Sequence, residues 1–317
     1  MDHGKALPVT AADTAGIALA PAHARSMMRV AVAAVGVAAL LVVMKTVAYI
    51  VTDSIAMMAS LADSALDVFA SSVNLLAIRH ALTPADAEHR FGHGKAEPLA
   101  GLGQGAFIAG SAAFLVIESV SRLIAPHPIE YPLVGLVVMG VSIAATVVLV
   151  IAQRIVVDRT GSVAVGADRM HYLGDIVTNA GVILGIVLSA QFHLLVADPV
   201  IGLCVAAILS WSALHVFRQS YDQLMDRELP DAERDRIKAL VRAHPEVKSM
   251  HDLRTRAAGV HQFIQFHIEL EPAMPLVRAH EISDAVEADV LAAFPHAEVI
   301  IHQDPAGLEQ PKPLAAS

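Results

Sequence analysis

Asp63 and Asp67 stand four residues apart in one strongly apolar stretch, and His171 and Asp175 stand four apart in another. On a helix, side chains at i and i+4 share a face, so each pair offers two ligands to one point and two packed helices offer four. Three carboxylates and one imidazole suit a tetrahedral Zn²⁺ site. The nitrogen turns preference away from Ca²⁺, Mg²⁺ and Mn²⁺, which favour all-oxygen shells, and leaves Fe²⁺ and Cd²⁺ behind zinc. A bare carboxylate near the middle of a bilayer costs roughly 2.5 to 3.5 kcal/mol even on the lenient translocon scale, so three amount to about 9 kcal/mol. A bound divalent cation offsets that cost, and metal and protons compete for the same lone pairs. The four residues therefore point to metal transport coupled to protons.

Composition supplies the membrane setting. Hydrophobic residues make up 55% of the 317-residue chain and charged ones 17%, and the mean hydropathy is +0.57, well above a soluble globular average. Cys204 is the only cysteine, so metal chemistry here runs on His, Asp and Glu, of which the 16 histidines are an ample supply. A net charge of −9 argues against nucleic acid, which needs a basic face.

Six apolar segments near or above the length needed to span hydrocarbon are expected at about 28–51, 55–79, 99–124, 132–157, 162–189 and 197–220. The second and fifth are the weakest hydropathy peaks because they carry the ligands. Residues 1–24 read as a flexible tail without a cleavable signal peptide, and 307–317 as a second tail. Arg25, Arg29, Arg79, Arg90, Lys95, Arg154, Arg159, Arg169, Arg218 and Arg227 fall on one side. The loops at 52–54, 125–131 and 191–198 hold no Lys or Arg, so both termini are expected in the cytoplasm. With 25–222 as the membrane domain, the second and fifth segments run antiparallel and the two ligand pairs lie at matching depth. Lys45 and Glu118 read as near-interface or interhelical partners rather than ligands, and Gly101, Gly105 and Ala109 as a small-residue face for close helix packing.

Residues 223–306 have a soluble pattern. Pro230 is placed to open a helix. Residues 262–271 alternate, with Ile264, Phe266, Ile268 and Leu270 on one face and Phe263, Gln265, His267 and Glu269 on the other. A helix over 276–294 buries Ile282, Val286, Val290 and Ala293, and 297–302 reads as a last strand. The order αββαβ predicts a small α+β module. His251, His267, His280, His302 and Asp304 fall here: a two-metal site if they converge, ordinary surface histidines if they do not. Asp86, His89 and His93 form a third cluster in the loop between the second and third segments, which alone reads as solvated.

An intramembrane metalloprotease would want His-Glu-x-x-His, which the chain lacks. A passive channel fits poorly with a four-ligand site that holds its ion. A membrane metal sensor or scaffold that binds without carrying stays open.

Asp63-Ser-Ala-Leu-Asp67, Phe91-Gly-His-Gly-Lys-Ala-Glu97, His171-Tyr-Leu-Gly-Asp175, His251-Asp-Leu-Arg-Thr-Arg256 and Val299-Ile-Ile-His-Gln-Asp-Pro305 together resemble the cation diffusion facilitator family, most of all its bacterial FieF/YiiP-type branch of zinc and ferrous-iron efflux transporters. The resemblance runs from about residue 25 to 306. It implies a homodimeric exporter of the bacterial inner membrane, with six helices and a metallochaperone-like cytoplasmic domain, exchanging a divalent cation for protons. By the same resemblance Asp63, Asp67, His171 and Asp175 are the transport site, and Asp86, His89 and His93 a loop site. His251, His267, His280, His302 and Asp304 line a binuclear cytoplasmic zinc site, and Lys95 and Asp226 form an interlocking salt bridge at the dimer interface.

Overall fold

The computed structural model describes residues 21–52, 55–124, 132–192 and 196–307. Most of the expected tails and of the loops without basic residues lie outside them. The chain divides into two compact units, Ala22–Leu224 and the residues from Met225 onward.

The first unit is six helices: α1 Pro21–Thr52, α2 Ile55–Ala81, α3 Ala96–Ile124, α4 Pro132–Thr160, α5 Val163–Phe192 and α6 Ala197–Leu224. The shortest has 27 residues and so runs about 40 Å, more than the roughly 30 Å of a hydrocarbon core. Four stretches are also apolar enough to cross: Pro21–Val51, Ala96–Ile124, Leu136–Thr160 and Pro199–Leu224. Helices α2 and α5, the two that carry the ligand pairs, have 27 and 30 residues and are also long enough to cross. Helix α1 starts earlier than expected, since Pro21 fits a first helical turn where no N–H is needed.

Val43, Val47, Ile50 and Val51 on α1, Leu66, Phe69 and Leu76 on α2, and Val148 and Ile151 on α4 are exposed. In water these would form a large apolar patch; in a bilayer they face lipid. The interior is built from small residues instead, with Ala31, Ala34, Ala38 and Ala70 all buried. Helices α3 and α6 approach closely where α3 has no side chain: a methyl at Gly101 would collide with the Ser220 hydroxyl, and one at Gly105 would lie 3.3 Å from the Phe217 ring.

The second unit is α7 Asp231–Arg242, β1 Ser249–Ala258, β2 His261–Leu270, α8 Leu276–Ala293 and β3 Ala297–Pro305. Pro230 stands immediately before α7. The sheet order is β1-β2-β3, with β1 antiparallel and β3 parallel to the central β2. Ile264, Phe266, Ile268 and Leu270 on β2 are buried against Ile237 and Val241 of α7 and Ile282, Val286 and Val290 of α8. Each such side chain contributes about 1.5 to 3 kcal/mol by leaving water. The helices cover one face of the sheet, so the alternation of β2 turns His267 and Glu269 to the other.

Candidate metal sites

Asp67 on α2 and His171 on α5 meet directly, Oδ1 to Nε2, at 3.1 Å. Asp175, one turn further along α5, joins them, so that one ligand atom from each lies within 4.8 Å of the others. Asp67 and His171 are buried. All three line a cavity of about 570 Å³ that Asp63 also lines. The fourth expected ligand is therefore in the cavity but outside the compact group, one turn along α2 from Asp67 and more exposed. The i, i+4 spacing puts the two carboxylates about 6 Å apart along the axis, and α2 meets α5 at the Asp67 level.

The elements that hold these ligands are tied by polar side chains. Tyr172, fully buried beside His171, donates to the Ala34 carbonyl of α1 at 3.1 Å and bonds the Ser71 hydroxyl of α2 at 2.8 Å. Lys45 is an interhelical partner as expected, donating from α1 to the Ser64 hydroxyl at 2.7 Å and the Ser60 carbonyl at 3.2 Å on α2. Glu118 instead pairs within its own helix, accepting from Arg122 at 2.8 Å.

Sequence reasoning missed two buried carboxylates. Asp168, three residues before His171, accepts from Gln104 of α3 at 2.8 Å and from Gln153 of α4 at 2.7 Å, one bond to each oxygen. Glu97 on α3 accepts from the Ser162 hydroxyl and from the Ala164 N–H at 3.4 Å, capping α5 from a neighbouring helix. The signal for Asp168 was a third charge in an apolar segment; nothing local marked Glu97 as a cap.

In the loop, Asp86, His89 and His93 do converge. The Asp86 carboxylate accepts from the backbone N–H of His89 at 2.6 Å and of Glu88 at 2.9 Å. The His89 N–H bond leads the influences that hold the Asp86 carboxyl below the usual range. Its oxygens then face His89 Nδ1 and His93 Nε2, each at 3.4 Å. His93 is buried, and its Nδ1 lies 3.3 Å from the Thr83 carbonyl; with the proton on Nδ1, Nε2 is free to ligate. The His80 ring, not foreseen, packs on His93 at 4.5 Å between centroids.

On the open face of the sheet, the strand register places His251, His267 and His302 in one row across β1, β2 and β3. Asp304, buried, gathers them: one carboxylate oxygen lies 2.7 Å from His267 Nδ1 and 3.4 Å from His251 Nε2, and the other 3.1 Å from His302 Nδ1. His280 is not among them. It lies on α8, exposed, 3.5 Å from Asp284, because α8 turns that side of the helix to solvent. Two further carboxylates flank the row. Glu269 lies 3.4 Å from His251 Nδ1, and Asp252, in a left-handed backbone conformation with φ 47°, lies 3.9 Å from His267 Nε2. Hydrogen bonds from Arg254 hold the Asp252 carboxyl below its ordinary range. Glu269 was legible as a neighbour of His267 on the polar face, and Asp252 as the residue after His251.

Lys95 donates to the Leu224 carbonyl at 3.5 Å, and Asp226 lies 3.4 Å from the Arg256 guanidinium.

Residues 31–225 match the family model described as the cation efflux transmembrane domain, and 229–306 the model of the cation efflux protein cytoplasmic domain. The chain belongs to the cation efflux family. It is 45% identical over 283 residues to the cation-efflux pump FieF of Cronobacter sakazakii, covering 89% of this chain and 94% of that one. It is 44% identical over 284 residues to FieF of Escherichia coli K12, with the same coverage. The metal-bound C-terminal domain of the CzcD transporter from Thermotoga maritima is similar over 25% of this chain and 93% of that domain, at 30% identity and a TM-score of 0.24. The protein is thus a multi-pass membrane transporter that exports divalent metal cations, with a cytoplasmic domain that carries a candidate metal-binding group.

Proposed function

We propose that the protein exports Zn²⁺, ahead of Fe²⁺ or Cd²⁺, across the bacterial inner membrane in exchange for protons, as a homodimer with six membrane-crossing helices per chain and both termini in the cytoplasm. The observation that carries the reading is the cavity in which Asp67, His171 and Asp175 bring donor atoms within 4.8 Å of one another, with Asp63 on its wall. This donor set matches borderline cations better than hard ones. In the inward-facing state the deprotonated ligands load metal; after rearrangement, protons from outside take the lone pairs and expel it. Outward movement of one Zn²⁺ costs about 4.6 kcal/mol per 100 mV, and each entering proton returns about 2.3.

The row of His251, His267 and His302 gathered by Asp304 is the proposed cytoplasmic metal site, with His280 as a further ligand once the partner domain is in place. Metal bound there favours whichever domain arrangement it fits. Asp86, His89 and His93 form the proposed loop site, and Lys95 and Asp226 the interlock across the dimer.

The test is zinc flux in proteoliposomes, wild type against Asp67→Ala, with a pH gradient imposed and then reversed. Flux that follows the gradient and vanishes in the variant supports antiport through this site. Zinc binding without flux, where a working exporter gives flux, means the protein is a sensor or scaffold.

A further inference from the structure

Among the described residues, Lys45 is the one Lys or Arg on the wall of the cation cavity. It is 6% exposed and lines the same cavity as Asp63, Asp67, His171 and Asp175. A lysine ammonium in an apolar helix costs roughly as much as a carboxylate there, about 2.5 to 3.5 kcal/mol. An ordinary interhelical tie needs no such charge, because a glutamine or serine makes the same bonds. The ammonium is also restrained: of its three N–H bonds, two go to the Ser64 hydroxyl at 2.7 Å and the Ser60 carbonyl at 3.2 Å, both on α2. Ser64, fully buried, sits between Asp63 and Asp67 in sequence. Two of the ammonium's N–H groups are thereby committed to α2 oxygens other than the carboxylates.

The charges then sum simply. Three ionised carboxylates carry −3, and with one divalent cation the site alone carries −1. With Lys45 included, the loaded cavity carries zero. From this and the tether we infer that Lys45 is a fixed counter-charge of the transport site, which makes the loaded cavity neutral and keeps divalent-cation binding weak enough for release. The inference rests on the reading of this cavity as the transport site. Without Lys45, a net negative loaded site in low dielectric holds its cation more tightly and lets it go more slowly. Without the tether, the ammonium reaches the carboxylates and competes with the cation.

The experiment is zinc flux into proteoliposomes as a function of zinc concentration, at fixed pH on both sides, for wild type, Lys45→Gln, Lys45→Arg and Ser64→Ala. The loop and cytoplasmic sites are the same in all four proteins, so their contribution to half-saturation is common and the differences between variants report the cavity. Lys45→Gln, which keeps a donor for Ser64 but removes the charge, is expected to lower the half-saturating zinc concentration roughly tenfold and to lower maximal flux as release slows. Lys45→Arg restores half-saturation to within about threefold of wild type, since Arg keeps the charge. Ser64→Ala moves half-saturation the opposite way, upward, and remains informative if the Lys45 variants do not fold. A merely structural lysine gives a different pattern: loss of maximal flux with half-saturation unchanged or raised in Lys45→Gln. That pattern, or an unchanged half-saturation in Ser64→Ala, overturns the inference. Absence of saturable flux in wild type would instead defeat the transport reading itself.

Discussion

Replacing Asp168 by leucine separates what this carboxylate does for the fold from the role proposed for the ligand pairs in transport. Asp168 is 1% exposed and accepts one amide N–H on each oxygen, from Gln104 at 2.8 Å and Gln153 at 2.7 Å. Leucine of similar size removes both acceptors and strands two buried donors, and the Oε1 atoms of the same two glutamines are themselves buried without a hydrogen-bond partner. Each stranded donor costs about 1 to 3 kcal/mol. Loss of a buried charge returns part of that, so a net loss of about 2 to 4 kcal/mol follows. For a domain of this size, about 2 to 4 °C of Tm accompanies each kcal/mol, placing the shift at roughly 4 to 16 °C. Asparagine differs in kind. Its oxygen accepts from one glutamine, and its amide donates to the Oε1 of the other once that side chain flips, so the cost is about 1 kcal/mol or less. The assay is size-exclusion thermostability in detergent, with no thiol-reactive dye because Cys204 is exposed. A leucine variant melting within about 2 °C of wild type would show that the two hydrogen bonds carry no net stability, and the account of Asp168 as the attachment of α5 would fail.

Three more outcomes follow from other parts of the molecule. Asp304→Ala is expected to weaken zinc binding by the cytoplasmic domain at least tenfold, by calorimetry on full-length protein, because one carboxylate gathers three histidines. His280→Ala has little effect in any state where the domains are not dimerised, as His280 lies apart; equal losses in monomeric protein would contradict this placement. Burial, together with the neighbouring His296, pushes the His261 imidazole below its ordinary value, so the unfolded chain takes up a proton that the folded domain refuses. Stability attributable to His261 is therefore constant above about pH 6.5 and falls as the pH drops below it, until the folded pKa is reached. His261→Gln should flatten the melting temperature between pH 7 and pH 5, and an unchanged slope would reject the assignment. His171→Asp, which makes the cavity all-oxygen, is expected to shift competition in flux assays from zinc toward manganese by about tenfold or more; unchanged selectivity would remove the role given to the imidazole.

Periodicity and punctuation made most elements legible. The apolar runs gave the six long helices of the membrane unit, and Pro230, the alternation of 262–271 and the stripe on 276–294 gave α7, β2 and α8. The i, i+4 pairs pointed to both helices of the candidate membrane site because helical spacing is local information, while the place of Asp63 outside the compact group was not legible. What stayed hidden depends on contacts distant in sequence. The histidine row needs the parallel pairing of β2 with β3, which sets His267 beside His302 although 35 residues separate them. The exclusion of His280 depends on which side α8 turns to the sheet. Asp168 looked like any stray carboxylate until its partners were known, and these lie 64 and 15 residues away.

Those distant contacts bear on how the membrane site keeps its shape. A cation entering between Asp67 and His171 must take the lone pairs now joined in their 3.1 Å bond, so that bond cannot hold α2 against α5 once metal is present. The geometry then depends on ties that the metal leaves alone. On the α5 side these are the Glu97 cap at its first turn and the Asp168 bonds to α3 and α4 one turn later, both outside the ligand set and both made by buried carboxylates. On the α2 side they are the Ser71 bond to Tyr172 and the Lys45 bonds to Ser60 and Ser64. Helix α5 is thus held to helices outside the pair by two buried carboxylates, Glu97 and Asp168, and α2 by one ammonium, Lys45 of α1. Charge-assisted bonds are roughly twice as strong as neutral ones. The bond that metal replaces is shared by both helices, so with one charged attachment against two, α2 is the half of the site with less to lose by moving.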